Sequence, residues 1–314
     1  PSRTKDPDAV DFSTGSEGLG PVAALFGALA DRYAEQHFGA RPGPRRRYVA
    51  VLGDAELDEG AVWEAIGDPL AQTTDLSNVL WVVDLNRQSL DRVIPGIRVT
   101  HLQQQFRANG WRVLEAKYGR RLEAAFAEPG GAALRQHIDG MSNEAYQALL
   151  RADAATVRAA LTTGATPGLA HLLDRYDDAE LPRLLADLGG HDLPTLLDRL
   201  AEAEREPAAP TVLFAYTIKG WRLPFAGDPL NHSALLTPDQ VDALRAELGV
   251  AADDEWACFP TGDPAGELCT ARGAELCPPR TSALRNVMLK PPADFPTAPL
   301  GAPSRALSSQ EAFG

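Results

Sequence analysis

An α/β fold, a doubly wound parallel sheet with helices on both faces, is the architecture this sequence predicts, and three observations point to it. Apolar runs of strand length recur in RRRYVAVLGD (45–54), NVLWVVDLN (78–86), the latter part of RANGWRVLEAKYG (107–119) and TVLFAYTIKG (211–220). Segments with helical periodicity alternate with them, as crossovers between parallel strands require. Polar features gather where strands end, at Gly53-Asp54, at Asp84 to Gln88 and at Thr217 to Gly220. That is the edge at which open α/β sheets bind ligands.

Taken in order, GLGPVAALFGALADRYAEQ (18–36) spaces its apolar residues as a helix does after a glycine-rich entry, and Pro21 is tolerated in the first turn. The first strand is almost continuously apolar, which predicts cover on both faces. EGAVWEAIGDPLAQTT reads as one helix, and 78–86 is a second buried strand. Gly110 caps the next helix ahead of the third strand. Residues 120–207, rich in Leu, Ala, Arg and Asp, form a helical insertion that returns the chain to a fourth strand at 211. TPDQVDALRAELGV adds a helix, so 1–250 forms one domain. From 251 to 314 the chain is rich in Pro and Gly, and KPPADFPTAPLGAPSRALSS reads as an extended linker toward a further domain.

Composition narrows the function. The 314 residues carry 43 Asp and Glu against 30 Lys and Arg, a net charge of −13, which repels nucleic acid and anionic lipid. Arg45-Arg46-Arg47 is the one dense basic patch, and it has no interleaved aromatics. No apolar run approaches a membrane span. Cys258, Cys269 and Cys277 lack CxxC spacing, which argues against zinc and for free thiols in a reducing, cytoplasmic setting. The chain starts on Pro1 and ends on SSQEAFG, so a fragment or one half of a larger enzyme is expected.

The three strand ends share one address. A carboxylate at Asp54 and an amide oxygen at Asn86 offer hard oxygen ligands suited to Mg²⁺, which takes its remaining ligands from water, carbonyls and phosphates. Lys219 supplies a compact positive charge for those phosphates. Other classes fit less well: the glycines at 15, 18 and 20 have the wrong spacing for a dinucleotide fingerprint, and no EF-hand pattern occurs. His37, His101, His137 and His171 have no convergent partners and read as structural, His191 reads as a cap or turn residue, and Trp63, Trp81 and Trp111 read as core or interface.

Gly53-Asp54 followed by Glu59-Gly60 and Trp63-Glu64-Ala65, with Asn86 32 residues after Asp54, resembles the thiamine diphosphate motif, a GDG followed further along by an asparagine. The pattern GDxxxxEGxxxEA is most similar to transketolase and its relatives, and STGSEGLGP (13–21) resembles their glycine-rich turn beside the cofactor. GDAELDE, LNRQSLD, NGWRVLEAKYG, GGHD, AYTIKG and RNVML resemble the decarboxylase component of homodimeric bacterial pyruvate dehydrogenases, over most of 10–250 and more faintly in the tail.

The resemblance implies a set of roles. Asp54, Asn86 and the Gln88 carbonyl would hold Mg²⁺; Gly18 and Gly20 would lie beside the cofactor; and Gly53, Ala55 and Glu56 would meet the diphosphate. Glu59 would join an acidic network across a dimer, Lys219 would lie near the diphosphate, and His232 would handle the acyl intermediate on a mobile loop. It implies thiamine diphosphate and Mg²⁺ as cofactors. As partners it implies a pyrimidine-binding domain or subunit in a homodimer or heterotetramer, and a lipoyl acyltransferase as acceptor. Activity on a 2-oxo acid is the first expectation; ketol transfer and a non-catalytic subunit that keeps only the fold are the alternatives. Two departures stand out. Ala55 replaces the second glycine, with a strain cost of about 1 kcal/mol expected if φ is positive there, and Glu17 stands where the family places an apolar residue against the pyrimidine. Asp58 keeps a plain helix-dipole explanation.

Overall fold

The computed structural model describes residues 12, 14–40, 43–89, 92–93, 99–205, 209–251, 254 and 257–276. The chain divides into two compact units, residues 1–255 and 256–314. In the first, α1 (Leu19–Phe38) leads to β1 (Tyr48–Gly53), then α2 (Gly60–Ile66), α3 (Pro69–Thr73) and β2 (Val79–Leu85). A small antiparallel pair, β3 (Gln88–Ser89) and β4 (Arg92–Val93), precedes α4 (Val99–Ala108) and β5 (Arg112–Ala116). Six short helices follow: α5 (Arg120–Ala127), α6 (Gly131–Asp139), α7 (Asn143–Leu149), α8 (Ala154–Thr162), α9 (Pro167–Leu173) and α10 (Glu180–Leu185). Then come α11 (Leu193–Arg205), β6 (Thr211–Tyr216) and α12 (Pro238–Leu248).

The main sheet has the order β1-β2-β6-β5, with every pair parallel. β6 is buried along its whole length, which is why its sequence is an unbroken apolar run. Alternate residues of β2 and β6 point to opposite faces. Trp81, Val83, Val212 and Phe214 enter the large core against α1, α2 and α4, while Leu80 and Leu213 meet Leu196, Leu200 and Ala203 of α11 on the other side. At the heart of the large core Phe106 touches Trp63, Trp81, Trp111 and Phe214, with ring centroids 5.4–6.1 Å apart. The three tryptophans are therefore core residues.

Two expectations need correction. β1 is an edge strand covered on one face only: Val49 and Val51 point away from the large core and are 54% and 74% exposed. Strands lie about 4.8 Å apart and a helix is about 10 Å across, so α11, seated over β5 and β6 with its edge on Leu80 of β2, does not reach β1. The helix read across 59–74 is broken in two. Gly67 closes α2, and Asp68 caps α3 by accepting from Leu70 N (2.8 Å), with Pro69 at the first helical position. Within the Pro- and Gly-rich stretch that begins at 251 a helix forms, α13 (Pro264–Leu276), started by Asp263 accepting from Ala265 N (2.8 Å). The stretch 290–309 lies outside the described residues, as does Cys277, whereas Cys258 and Cys269 are free and exposed.

Candidate functional site

The sheet register gathers the loops. Gly53 pairs with Asp84, Asp84 with Ala215 and Leu85 with Tyr216, so the segments after β1, β2 and β6 leave the sheet side by side. Asp54 Oδ2 accepts from Arg87 N (2.8 Å), tying the first loop to the second. Asn86 Oδ1 accepts from Gln88 N (2.9 Å), and Arg87 between them takes φ 63°, the conformation that closes so tight a turn. Gln147 braces this loop from α7, donating to Asn86 O (3.1 Å) and receiving Gln88 Nε2 (3.3 Å). Thr217 donates to Asp84, joining the third loop to β2.

The electrostatics suit a cation. Burial, with a smaller contribution from Asp84, pushes the Asp54 carboxyl up to about 6 against the pull of the N–H groups of Arg87 and Ala55. Gln88 Oε1 is buried without a hydrogen-bond partner among the described residues. A desolvated carboxylate at Asp54 and the oxygens of Asn86 and Gln88 on the loop tied to it have the hard-donor chemistry that a divalent ion takes. Among the described residues no group of three or more His, Cys, Asp or Glu could hold a metal.

The glycine-rich turn also arrives here. Gly18 has φ 75°, and a Cβ on it would lie 2.9 Å from Glu59 Cβ, so only glycine lets the turn press against the start of α2. Glu56 fastens the two together, accepting from Gly18 N (3.0 Å) with one oxygen and from Gly53 N (2.9 Å) with the other. Its side chain thus has a framework role that local sequence did not reveal. Gly20 lies within α1, and Glu59 is exposed beside Gly18. Ala55 is unstrained, because positive φ outside glycine is confined, among the described residues, to Arg87 and Arg222. Asp54–Asp58 forms a separate 3-10 turn, and Asp58 stands one residue before Glu59, the N-cap of α2. A Cβ on Gly53 would meet nothing within 4 Å, so its Cα face is open although its N–H is taken by Glu56.

On the third loop Lys219 Nζ lies 3.2 Å from His232 Nδ1, so the two candidate residues meet. Asn231 supports them by donating to Lys219 O (3.0 Å) and Phe225 O (3.3 Å). His191 does more than shape a turn. Its Nε2 accepts from Ile218 N (2.8 Å), and its ring stacks on Trp221 at 4.3 Å and 7°. Gly189 and Gly190 allow this, since a Cβ on either would come within 2.6 Å of the backbone at Ala116 or Tyr216. Burial lowers the His191 pKa to about 4, opposed by Asp84. The folded state thus favours the neutral ring, and this contribution to stability is complete above pH 6.5 and is lost as pH falls toward 4. His191→Gln should therefore flatten the acid limb of a denaturation series over that window. It should also cost about 1–3 kcal/mol at neutral pH, read from urea midpoints.

Several residues at this edge were not singled out by sequence reasoning. Arg87, Lys117, Tyr118, Asp139, Tyr146 and Tyr216 line a cleft of about 100 Å³ that also touches Asp54, Ala55 and Asp58. A signal was present for two of them: Lys117-Tyr118 follows β5 directly, at the fourth strand end of the same sheet. The other histidines behave as expected where contacts exist, His37 bonding Tyr33 O (2.8 Å) and His137 bonding Ala160 O (3.1 Å).

Residues 2–129 match the family model described as transketolase, thiamine diphosphate binding domain. The chain is 31% identical over 268 residues to the pyruvate dehydrogenase E1 component of Cupriavidus necator, covering 82% of this chain and 29% of that protein. With its counterpart from Pseudomonas aeruginosa identity is 32% over 242 residues, covering 76% and 27%. The chain therefore spans less than a third of the length of these curated relatives. A solved transketolase variant from Pichia stipitis shares the fold with a TM-score of 0.53 at 18% identity, over 88% of this chain and 30% of that one. No helix among the described residues is long and apolar enough to cross a membrane.

Proposed function

We propose, for a chain that belongs to the thiamine diphosphate-dependent transketolase superfamily, that it supplies the metal- and diphosphate-binding half of a 2-oxo acid decarboxylase of the pyruvate dehydrogenase E1 type. The observation that carries this reading is the meeting of Asp54 with the 86–88 loop at the carboxyl edge of the sheet, where the Asp54 carboxyl is desolvated. Bound thiamine diphosphate supplies the electron sink for decarboxylation.

The chain's own residues do the rest. Asp54, the Asn86 side chain and the Gln88 carbonyl would hold Mg²⁺, and the open Cα face of Gly53 with the turn through Ala55 and Glu56 would receive the diphosphate. Lys219 places positive charge near those phosphates. In its contact with His232 the ammonium donates and Nδ1 accepts, which leaves the imidazole proton on Nε2, free to move during acyl transfer. Glu59 contributes to an acidic link across a dimer. A pyrimidine-binding domain or subunit completes the site, a lipoyl acyltransferase accepts the acyl group, and the assembly works in the cytoplasm. Oxo-acid chemistry is preferred to ketol transfer because curated relatives near 30% identity are pyruvate dehydrogenase E1 components.

The test is calorimetric titration of the chain with thiamine diphosphate and Mg²⁺ across pH. Because the metal needs ionised Asp54, affinity should be constant above pH 7 and should fall roughly tenfold per unit below about 6. Absence of heat at pH 7.5, with no rise in melting temperature, would remove the cofactor reading.

A further inference from the structure

We infer that His191 is a positioning residue: by gripping both ends of the turn 218–221 it sets where Lys219 and His232 stand. Lys219 is the second residue of that turn. Ile218 O accepts from Trp221 N (3.1 Å), and Gly220, the third residue, has φ 72°, the left-handed value that glycine supplies at that place. His191 reaches both corners at once. Its Nε2 accepts from Ile218 N (2.8 Å), and its ring lies 4.3 Å from the Trp221 ring and nearly parallel to it.

The rest of the loop closes on the residue so fixed. Lys219 O accepts from Gly227 N (3.0 Å) and from Asn231 Nδ2 (3.0 Å), which draws the chain that left the turn back to it. His232 follows Asn231 directly, and its Nδ1 lies 3.2 Å from Lys219 Nζ. The turn is also tied to α12, because the Arg222 guanidinium carbon lies 5.5 Å from the Trp221 ring centroid and Arg222 pairs with Glu247 (2.9 Å). A shift at Ile218 or Trp221 therefore moves Lys219, and His232 with it.

Histidine suits both grips. A neutral imidazole protonated at Nδ1 offers one acceptor in the plane of a flat ring, whereas an amide gives the acceptor without the ring and a phenyl the ring without the acceptor. Burial holds the ring neutral, with its pKa lowered to about 4. The grip has a firm base, since Gly189 N donates to Lys117 O (3.0 Å) and Leu188 bridges to Tyr118, fastening the 189–191 turn to the chain that leaves β5. His191 thus carries the position of one strand end across to the loop beyond another. That Lys219 and His232 serve cofactor and acyl group rests on the function proposed above; that His191 places them does not.

The experiment uses the full 314-residue chain without cofactor, labelled with ¹⁵N at histidine, and reads the His232 Nδ1 resonance at pH 8.5, assigned by its loss in His232→Gln. In the parent it should carry the shift of a nitrogen that accepts a hydrogen bond, and Lys219→Met, which removes the donor, fixes the value for a broken contact. His191→Phe, without the acceptor, and His191→Gln, without the ring, should both move the resonance toward that value. Val157→Ala, a truncation of a fully buried residue in α8, should lower stability and leave the resonance in place. Trp221→Leu breaks the stack from its exposed side, should move the resonance as the His191 changes do, and keeps the test open where a His191 variant does not fold. A parent indistinguishable from Lys219→Met, a resonance that stays put in every folded His191 and Trp221 variant, or one that Val157→Ala moves as far would overturn the assignment. Titration with thiamine diphosphate and Mg²⁺ on the same samples is scored separately: a parent that gives no heat ends the cofactor reading and leaves the positioning result standing.

Discussion

Asp54→Ala should abolish binding of Mg²⁺ and thiamine diphosphate, with affinity lowered at least about a hundredfold, the scale expected when a metal loses a charged ligand. The fold should survive the change. In the metal-free protein the carboxylate is a burden, since its pKa is raised from 3.8 to about 6 by burial. The neutral acid is therefore the form the fold prefers. The stability it contributes is full below pH 3.8 and is lost as pH rises through about 6, so at pH 8 the ionised group opposes folding until a cation arrives. Asp54→Ala gives up the accepted bond from Arg87 N and the support of the Ala55 N–H, and its melting temperature at pH 8 without metal should lie within a few degrees of the parent. A variant that melts normally and yields no heat with cofactor and metal fulfils the expectation. One that binds with parent affinity shows that the metal is held elsewhere.

Phe106→Ala should be the most damaging single core truncation, at about 3–5 kcal/mol. Phe106 is fully buried, and its ring touches three tryptophans and Phe214. Those residues come from α2, β2, β6 and the segment entering β5, so no single element can close the hole. Edge-to-face contacts with Trp111 and Phe214 are lost in addition to the buried area. For a unit of this size the midpoint should fall by about 10 °C or more, and near-ultraviolet circular dichroism should lose its tryptophan fine structure. A drop of under a kilocalorie would mean that the cluster repacks around the void.

What made the site legible in advance was local. Strand-length apolar runs placed β1, β2, β5 and β6, and short polar motifs at their ends placed Asp54, Asn86 and Lys219 on one edge, because side-chain alternation and turn chemistry are written over a few adjacent residues. The parallel order then followed from the helices between strands. The tertiary structure alone decided which side of β1 lies bare, since that depends on how many strands one helix can cover. It alone decided that Glu56 clasps Gly18 and Gly53, that His191 carries Ile218, and that Arg87 shares a cleft with Lys117 and Tyr146. The longer of these contacts join residues 27 to 38 positions apart or more, and a contact between distant residues leaves no period in the chain. Local pattern determined where the chemistry gathers, and packing determined which neighbours surround it.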